Sequence, residues 1–238
     1  MKYLLNPCTN PYRNMAFDLF VLDGLDKPEP VFFLWQNAPA VIIGRNQNAY
    51  AEVDLPFLEE NGIALARRVT GGGAVYHDLG NLNYTFVGPL AQMEGAEGWM
   101  AEALRQLGLP AERSGRNDIL VKGRKVSGNA FFLRNDASIV HGTMLFDSDF
   151  TQLERAITPS PEKLASKGIK SVRQRVTNLR EELEAVGRTM DIEAFKRFLI
   201  GDLCTDEVVL SEADVAEIER IEAEYTDPAF IAGKLKID

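Results

Sequence analysis

The feature that most constrains this chain is a run of three glycines, Gly71 to Gly73, set between charged and apolar residues. Glycine has no side chain to pack and loses much backbone entropy on folding. Three in a row are therefore expected where bare N–H groups must approach something closely. Arg67 and Arg68 precede the run and supply fixed positive charge. The sequence predicts an anion-binding loop.

The simplest alternative for this stretch is a flexible hairpin between two strands. No GxGxxG opens a helix and no GxxxxGK[ST] occurs, so neither a dinucleotide-binding fold nor a P-loop is predicted. The surroundings favour a binding loop, because His77 and Asp78 follow within a few residues and can transfer protons. The apolar alternation of Leu82, Tyr84 and Phe86 then predicts a return to a sheet.

Length and charge limit the functional classes. With 238 residues and 45% apolar content, the chain is long enough for one large domain with a substantial core. The net charge of -9 argues against nucleic-acid binding, which depends on a positive surface. No apolar run approaches the ~20 residues of a membrane span, and Cys8 and Cys204 fit neither a disulfide framework nor a metal-binding pattern. We expect a soluble cytoplasmic protein without nucleic-acid or membrane partners.

Local patterns predict mixed strands and helices followed by a helical C-terminal part. Capping boxes are predicted at Asn178 with Glu181 and at Ser211 with Asp214. The predicted helices are 15–22, 55–60, 97–107, 179–186, 192–203 and 211–225. The predicted strands are 31–35 and 40–44, joined by a turn, then 64–69, and a meander of 119–121, 125–127 and 139–146.

A second group of polar residues flanks a tight turn at residues 122–124. Asp118 and Lys125 lie on its two sides, so an antiparallel hairpin would bring their side chains together. A lysine beside an oxyanion site can bind a phosphate and a carboxylate together and neutralise charge as one attacks the other. The alternative is a surface hairpin with an ordinary ion pair, which taken alone is the more common case.

Two further segments carry candidate ligand-binding groups. His141, followed by Gly142 and Thr143, could line a pocket at a strand edge, although a lone histidine is more often structural. The segment from Lys167 to Leu179 is rich in basic residues, which would suit a nucleotide phosphate. The alternative for such a run is a solvated loop.

Together these segments match one family in sequence, order and spacing. The runs RRVTGGGAVYHDLGNLNYTF, SGRNDILVKGRKVSGNAFF, HGTMLFD and KGIKSVRQRVTNL resemble lipoate-protein ligases of the A type, over about residues 10 to 180. The resemblance implies an α/β (α+β) catalytic domain with a mixed, largely antiparallel sheet flanked by helices. Biotin ligases and class II aminoacyl-tRNA synthetases share that kind of domain.

Such a ligase activates lipoate with ATP and Mg²⁺ to form lipoyl-adenylate, then passes the lipoyl group to a lysine of an acyl-carrier domain. The resemblance implies that Lys125 is the catalytic lysine, which contacts the lipoate carboxylate and the α-phosphate. It implies that ATP or the adenylate is bound by Arg68, Gly73, Ala74, Val75, Tyr76, Asn117, Asp118, Lys125 and Arg175, with Asp118 also a candidate Mg²⁺ ligand. It implies that lipoate is bound by Arg68, Gly72, Gly73, His77, Lys125, Ser127, Gly128, Ala130 and His141.

The acyl chain and dithiolane of lipoate need a dry apolar tunnel, which Phe17, Phe20, Trp35 and Val75 could supply. The resemblance implies acceptors such as lipoyl domains of 2-oxoacid dehydrogenases or the glycine-cleavage H protein. We expect one catalytic domain over residues 1–238, helical from about 178 onward, without the C-terminal accessory domain of full-length bacterial members. Either a separate subunit supplies that domain or the enzyme works without it.

Two other functions fit the same scaffold. An octanoyl or lipoyl transferase would form an acyl-enzyme on a cysteine thiolate and would need no ATP. Its nucleophile should lie among the central hairpins, whereas Cys8 and Cys204 lie towards the two ends of the chain. A non-catalytic lipoate-binding protein would have less need of Lys125. The sequence favours the adenylating ligase over both.

Overall fold

The computed structural model describes residues 1–115, 117–157 and 175–234. The strands are β1 (Lys2–Leu4), β2 (Val31–Trp35), β3 (Ala40–Ile43), β4 (Ala64–Arg67), β5 (Val75–His77), β6 (Asn81–Pro89), β7 (Ala111–Ser114), β8 (Asp118–Val121), β9 (Arg124–Arg134), β10 (Ala137–Leu145) and β11 (Asp206–Val208). The α-helices are α1 (Pro11–Asp23), α2 (Ala49–Glu52), α3 (Leu55–Glu60), α4 (Ala96–Gln106), α5 (Phe150–Ala156), α6 (Leu179–Glu184), α7 (Ile192–Leu203), α8 (Glu212–Tyr225) and α9 (Pro228–Ile231).

The strands form a large mixed sheet and a small one. The large sheet has the order β11-β1-β2-β6-β10-β9-β8-β7, and only the β11-β1 and β1-β2 pairs are parallel. The small sheet has the order β4-β3-β5, with β3 parallel to β4 and antiparallel to β5. These sheets and their flanking helices confirm the predicted α/β class with a largely antiparallel sheet.

Helix α1 is a central element of the core. It begins after the N-cap Asn10, whose side chain accepts from the N–H groups of Tyr12 and Arg13, and Pro11 occupies its first turn, where no donor is needed. Every residue from 15 to 22 is buried, and the helix contacts β4, β6, β10 and α8. It therefore packs against strands of both sheets.

Most predicted elements are confirmed to within a few residues. β2, α3 and α7 have the predicted bounds, and the capping box of Ser211 and Asp214 is present at the start of α8. β9 extends well beyond its predicted three residues, because its second half continues to pair with β10. From α6 onward the regular elements of the described chain are helices, except for β11. None of the described helices is long and apolar enough to cross a membrane.

At two places the structure differs from the local prediction because of long-range contacts. β2 and β3 follow each other in sequence but belong to different sheets, so the turn between them crosses from one sheet to the other. The predicted capping box at Asn178 is not formed. The Asn178 side chain instead bonds to the backbone of Ser148, accepting from its N–H at 3.0 Å and donating to its carbonyl at 3.1 Å. A distant backbone replaced the local partner.

Two glycines allow backbones to touch directly. A Cβ at Gly44 would overlap the carbonyl oxygen of Gly72, so the end of β3 lies against the glycine loop. A Cβ at Gly80 would overlap the carbonyl oxygen of Asp147. The Gly80 carbonyl in turn accepts from the N–H groups of Phe146 and Asp147 at 3.1 and 2.8 Å. The turn between β5 and β6 is thereby fastened to the end of β10.

We expect Gly80→Ala to lower the free energy of unfolding by about 1–3 kcal/mol, because the backbone must shift to admit the methyl group. Gly201→Ala is the matched control, since Gly201 lies inside α7 with no atom within 4 Å of its Cβ position. That control should raise the same free energy by roughly 0.5–1 kcal/mol. Urea unfolding measures both changes, and a Gly80→Ala variant as stable as the wild type would contradict the packing described.

Candidate active site

The glycine loop, residues 71–73, lies exposed between β4 and β5. Gly72 has a φ of 103°, a conformation that residues with a side chain rarely adopt. No residue in the described part of the chain accepts a hydrogen bond from the N–H groups of Gly71, Gly72 or Gly73. Three exposed donors without a partner suit an anion.

Arg68 lies behind this loop and shapes it. Its side chain is buried. Nε and Nη2 donate to the carbonyl of Gly71 at 3.1 and 2.8 Å, respectively. Nη2 also donates to the carbonyl of Gly73 at 2.8 Å. Nε also donates to Thr70 Oγ1, and Nη1 donates to the Ile42 carbonyl, both at 3.0 Å. Burial lowers the pKa of Arg68 to about 10, which leaves it charged at neutral pH. The carbonyl groups of Gly71 and Gly73 thus bind the Arg68 guanidinium, which leaves the N–H groups of the loop available to a ligand.

Arg67 ties the neighbouring loop to the C-terminal part. Its buried Nη1 donates to the carbonyls of Gly44, Arg45 and Gln47 at 2.9–3.0 Å. Nε and Nη2 donate to the carbonyl of Ile231 at 3.1 and 2.7 Å. Arg67 is therefore a structural cation that joins the end of β3 to α9.

Lys125 and Asp118 form the predicted cross-strand pair. The Lys125 ammonium lies 2.7 Å from Asp118 Oδ1, and both side chains are about one third exposed (36% and 35%), so a ligand can reach them. Gly128 stands opposite Asp118 between β8 and β9. A Cβ at Gly128 would lie 2.8 Å from Lys125 Nζ. Glycine at this position therefore leaves the space that the ammonium occupies.

The hairpin that carries Lys125 is held from α6. Its turn residues Lys122 and Gly123 have φ values of 51° and 75°, as a two-residue type I′ turn requires. The buried carboxylate of Glu182 pairs with Lys122 Nζ at 2.9 Å and with Arg124. Burial opposes ionisation of Glu182, but the hydrogen bond and charge of Lys122 outweigh it and lower its pKa. This carboxylate fixes the turn against the C-terminal part.

Arg175 lies close to the same hairpin. The next residue, Val176, forms a parallel bridge with Lys125, and Thr177 donates its N–H to the Lys125 carbonyl at 3.0 Å. Arg175 itself is exposed. Its contact with the nucleotide stays a prediction, and residues 167–174 of the predicted basic segment lie outside the described residues.

Asn117 and Ser127 are held by hydrogen bonds within the protein. Asn117 Nδ2 donates to the Asn129 carbonyl at 3.1 Å, and the Asn129 N–H donates to the Asn117 carbonyl at 2.7 Å. The buried Ser127 hydroxyl donates to the Asn129 side chain at 3.2 Å and lies 3.3 Å from the hydroxyl of Tyr84. These hydrogen bonds help to hold the hairpin, and the contacts of both residues with a ligand stay predictions.

The remaining predicted residues surround these groups. Ala74 and Val75 are half-buried just after the glycine loop, and Tyr76 is buried. Burial, followed by the charge of nearby carboxylates, raises the pKa of Tyr76 to about 12. Ala130 stands opposite His141 between β9 and β10. Of the apolar residues predicted to form a tunnel, Phe17, Phe20 and Trp35 belong to one buried cluster, and Val75 packs against it.

His77 is buried beside the glycine loop with one unused donor. Its Nδ1 lies 3.0 Å from Asn37 Nδ2 and 3.4 Å from Asn83 Nδ2. Amide NH₂ groups donate, so Nδ1 accepts and the ring proton is assigned to Nε2. Nε2 has no partner among the described residues. Burial is the main cause that lowers the pKa of His77 to about 3, and the nearby charge of Arg68 lowers it further. The imidazole is therefore neutral at physiological pH.

His141 lies between α1 and the glycine loop. Its Nδ1 is 2.6 Å from Asp18 Oδ2, and its Nε2 is 2.8 Å from Thr70 Oγ1. The sequence motifs did not point to Asp18 or to the side chain of Thr70. The available signal was a single carboxylate within the apolar run of α1, because a carboxylate buried there needs a partner.

Asp118 is the predicted metal ligand. The described ranges contain no group of three or more His, Cys, Asp or Glu side chains that could hold a metal ion. Mg²⁺ does not require such a group, because one or two carboxylates together with the phosphates of a substrate are commonly enough to bind it. Oδ1 of Asp118 is engaged by Lys125, whereas Oδ2 bonds to none of the described residues. The carboxylate present therefore fits an ion shared with phosphates.

Comparison with known proteins agrees with this arrangement. The family model for the lipoyl protein ligase A/B catalytic domain matches residues 10–203. The chain belongs to this family. All the predicted site residues lie within the matched range.

Relatives of this lipoyl protein ligase domain agree over most of the chain. Lipoate-protein ligase LplJ of Bacillus subtilis is 39% identical over 227 residues, covering 90% of this chain and 68% of the relative. The lipoate-protein ligase A of Bdellovibrio bacteriovorus is 39% identical over 211 residues, covering 84% of this chain and 62% of the relative. The chain thus spans about two thirds of the length of these relatives.

Solved structures of similar proteins cover the whole domain. A bi-partite lipoate protein ligase from Thermoplasma acidophilum has a TM-score of 0.85 and 29% identity, covering 100% of this chain and 98% of the other. A lipoate-protein ligase A bound with ATP has a TM-score of 0.82 and 27% identity, covering 98% and 99%.

The buried, neutral His77 of this ligase-family domain should make its stability depend on pH. The unfolded state binds a proton below pH 6.5 and the folded state only near pH 3, so stability falls as the pH drops through that range. Between pH 7 and pH 5 the loss should be about 2 kcal/mol. We expect His77→Gln to lack this part of the loss. Urea unfolding of both proteins at the two pH values measures the difference, and parallel losses would contradict the assignment.

Proposed function

We propose that this chain is an ATP-dependent lipoate-protein ligase. It forms lipoyl-adenylate from lipoate and ATP with release of pyrophosphate, then transfers the lipoyl group to a lysine of an acyl-carrier domain with release of AMP. Two observations carry the proposal: the exposed loop N–H groups bond to no acceptor among the described residues, and the Lys125 ammonium is reachable by a ligand. Family membership and the names of the relatives support it.

Adenylation joins two anions, so the site must offset the repulsion between a carboxylate and a phosphate. Lys125 can contact both, while the glycine-loop N–H groups and the charge of Arg68 beneath them favour the nucleotide phosphates. These donors are held before the ligand arrives, which reduces reorganisation during the reaction. In the transfer step the adenylate is the electrophile, and the acceptor lysine must lose a proton before it attacks.

Related structures support the substrates of this proposal. One is a lipoate-protein ligase A bound with ATP, and another is a putative lipoate protein ligase from Thermoplasma acidophilum with bound lipoic acid. We assign the same substrates here, with His77 and His141 near the acyl chain. Mg²⁺ would neutralise phosphate charge, and Asp118 would hold it. We further place the enzyme in the cytoplasm, because its two cysteines are free, as is usual in a reducing compartment.

The partners follow from the same proposal. The Thermoplasma acidophilum structure is described as a bi-partite ligase and its E2 lipoyl domain. We propose that this chain acts on lipoyl domains of 2-oxoacid dehydrogenases or on the glycine-cleavage H protein. We also propose that residues 1–238 form one catalytic domain, which works either with a separate accessory subunit or alone.

An acyl transferase is the rival function, because it would fit the same scaffold. Such an enzyme needs a reactive thiolate. Burial raises the pKa of the Cys204 thiol to about 11. Cys8 lies before α1, where its carbonyl and sulfur accept hydrogen bonds from Asn14 and Asn10. Neither cysteine is placed on the hairpin of Lys125, which favours adenylation.

We expect Lys125→Ala to reduce lipoate-dependent exchange of labelled pyrophosphate into ATP by about 10²–10³-fold, because the cation between the two reacting anions is lost. Lys2→Ala is the control, since Lys2 has similar exposure (38%) and also forms an ion pair. Exchange by Lys125→Ala at the wild-type rate would contradict the mechanism.

Octanoate and biotin serve as comparison acids, and an apo lipoyl domain added afterwards reports transfer as a mass shift. No exchange by the wild type with any acid would overturn adenylation. Cys8→Ser combined with Cys204→Ser should leave the rate unchanged, and a large loss would favour the transferase.

Gly128→Ala should lower the exchange rate at least about tenfold while the protein stays folded. The new methyl group would lie 2.8 Å from Nζ and 3.0 Å from Cε of Lys125, so the ammonium must move away from its place beside Asp118. Gly201→Ala again provides the control. Circular dichroism checks the fold, and an unchanged rate would show that the position of Lys125 is not critical.

A further inference from the structure

A chain of buried hydrogen bonds connects α1 to the glycine loop. Asp18 Oδ2 lies 2.6 Å from His141 Nδ1, and His141 Nε2 lies 2.8 Å from Thr70 Oγ1. Arg68 Nε lies 3.0 Å from Thr70 Oγ1. On the other side of Asp18, Thr85 donates its hydroxyl to Oδ1 at 3.0 Å. Thr85 itself accepts from the indole N–H of Trp35 at 2.9 Å.

With one proton on the His141 ring, the chemistry of the two ends assigns the proton at every link. Arginine and tryptophan can only donate, and an ionised carboxylate can only accept. Arg68 therefore donates to Thr70, the Thr70 hydroxyl donates to His141 Nε2, and His141 Nδ1–H donates to Asp18. The ring proton of His141 lies on Nδ1, the opposite assignment to that of His77, whose Nδ1 accepts from two asparagine amides.

The residues in this series of hydrogen bonds are all buried, so each bond depends on the next. Asp18 is 1% exposed and Thr70 is fully buried, and the other members are 6% exposed or less. A buried polar group that loses its partner costs more than a typical hydrogen bond contributes, and water cannot replace the partner in a closed site. The position of Thr70 therefore depends on Asp18.

We infer that Asp18 is a positioning residue that holds the glycine loop in its ligand-binding shape through His141, Thr70 and Arg68. Asp18 lies on α1, and His141 lies on β10 of the large sheet. Thr70 and Arg68 belong to the segment after β4 of the small sheet. This chain of hydrogen bonds, the Asp18 relay, joins the two sheets at the loop. The inference rests on the proposed function, because the loop is taken to bind the nucleotide.

The position of the Arg68 guanidinium determines the conformation of the glycine loop. Arg68 donates to the carbonyls of Gly71 and Gly73 only while its plane is held in place, and Thr70 is one of the two acceptors that hold Nε. If Thr70 loses its hydroxyl, the guanidinium loses this restraint and His141 loses its donor. The loop carbonyls can then turn outward, and the N–H groups are no longer held ready for phosphate.

The first test uses nitrogen-15 NMR of the two ring nitrogens of each histidine. The chain contains only two histidines, so His77→Gln leaves a single set of signals, from His141. We expect a protonated Nδ1 and an unprotonated Nε2 in His141 and the reverse in His77. A proton on Nε2 of His141 would overturn the relay.

The second test compares Thr70→Val, which has a similar shape but no hydroxyl, with Thr70→Ser, which keeps the hydroxyl. We expect Thr70→Val to raise the KM for ATP in pyrophosphate exchange about tenfold with a smaller change in kcat, and Thr70→Ser to stay within about twofold of the wild type. Asp18→Leu should behave like Thr70→Val. Asp23→Asn is the control on α1, because that carboxylate is exposed and pairs with Arg134 at 3.3 Å outside the relay.

The backbone amide signals of Gly71 to Gly73 provide a readout that does not require ATP turnover. They should shift in Thr70→Val and stay near their wild-type positions in Thr70→Ser. A folded Thr70→Val with wild-type KM and unshifted amides would overturn the inference. If the wild type itself lacks exchange, the proposed function fails, whereas the amide signals and the histidine protons still decide whether the relay holds the loop.

Discussion

The site depends on how two buried guanidinium groups are satisfied. Arginine has five N–H donors and no acceptor, so a buried arginine must find acceptors in its surroundings. Arg67 and Arg68 find most of theirs in backbone carbonyls. Each of the two loops that supply most of these carbonyls therefore curves around a guanidinium group. The bend of the glycine loop and of the loop after β3 is therefore set by the arginines beneath them.

This arrangement separates two kinds of positive charge. Arg68 is enclosed and acts through the loop it shapes, whereas Lys125 is one third exposed and can touch a ligand. A reaction between two anions benefits from both kinds of cation. A fixed cation favours binding of the first anion, and a reachable cation can stay in contact with the negative charge as it shifts during the reaction. The acidic balance of the whole chain does not oppose this, because the local field at the site is set by these nearby groups.

Features that rest on residues near each other in the chain could be predicted from the sequence. The pair of Asp118 and Lys125 follows from one tight turn, and the bounds of α3 and α7 follow from local periodicity and stop signals. What sequence could not predict rests on distant partners. Asn178 bonds to Ser148, Glu182 to the turn at Lys122, and β2 and β3 pair in different sheets. The Asp18 relay is of this second kind, because its members come from five separate segments.

The contact between Gly44 and Gly72 has a consequence for comparing related chains. Two backbones meet there with no side chain between them, and a Cβ at position 44 would overlap the carbonyl of Gly72. A relative with any other residue at that position must hold its glycine loop further from the end of β3. The identity of the single residue that follows this strand thus indicates how closely the glycine loop approaches the strand end, and aligned sequences of related chains are enough to compare that approach between them.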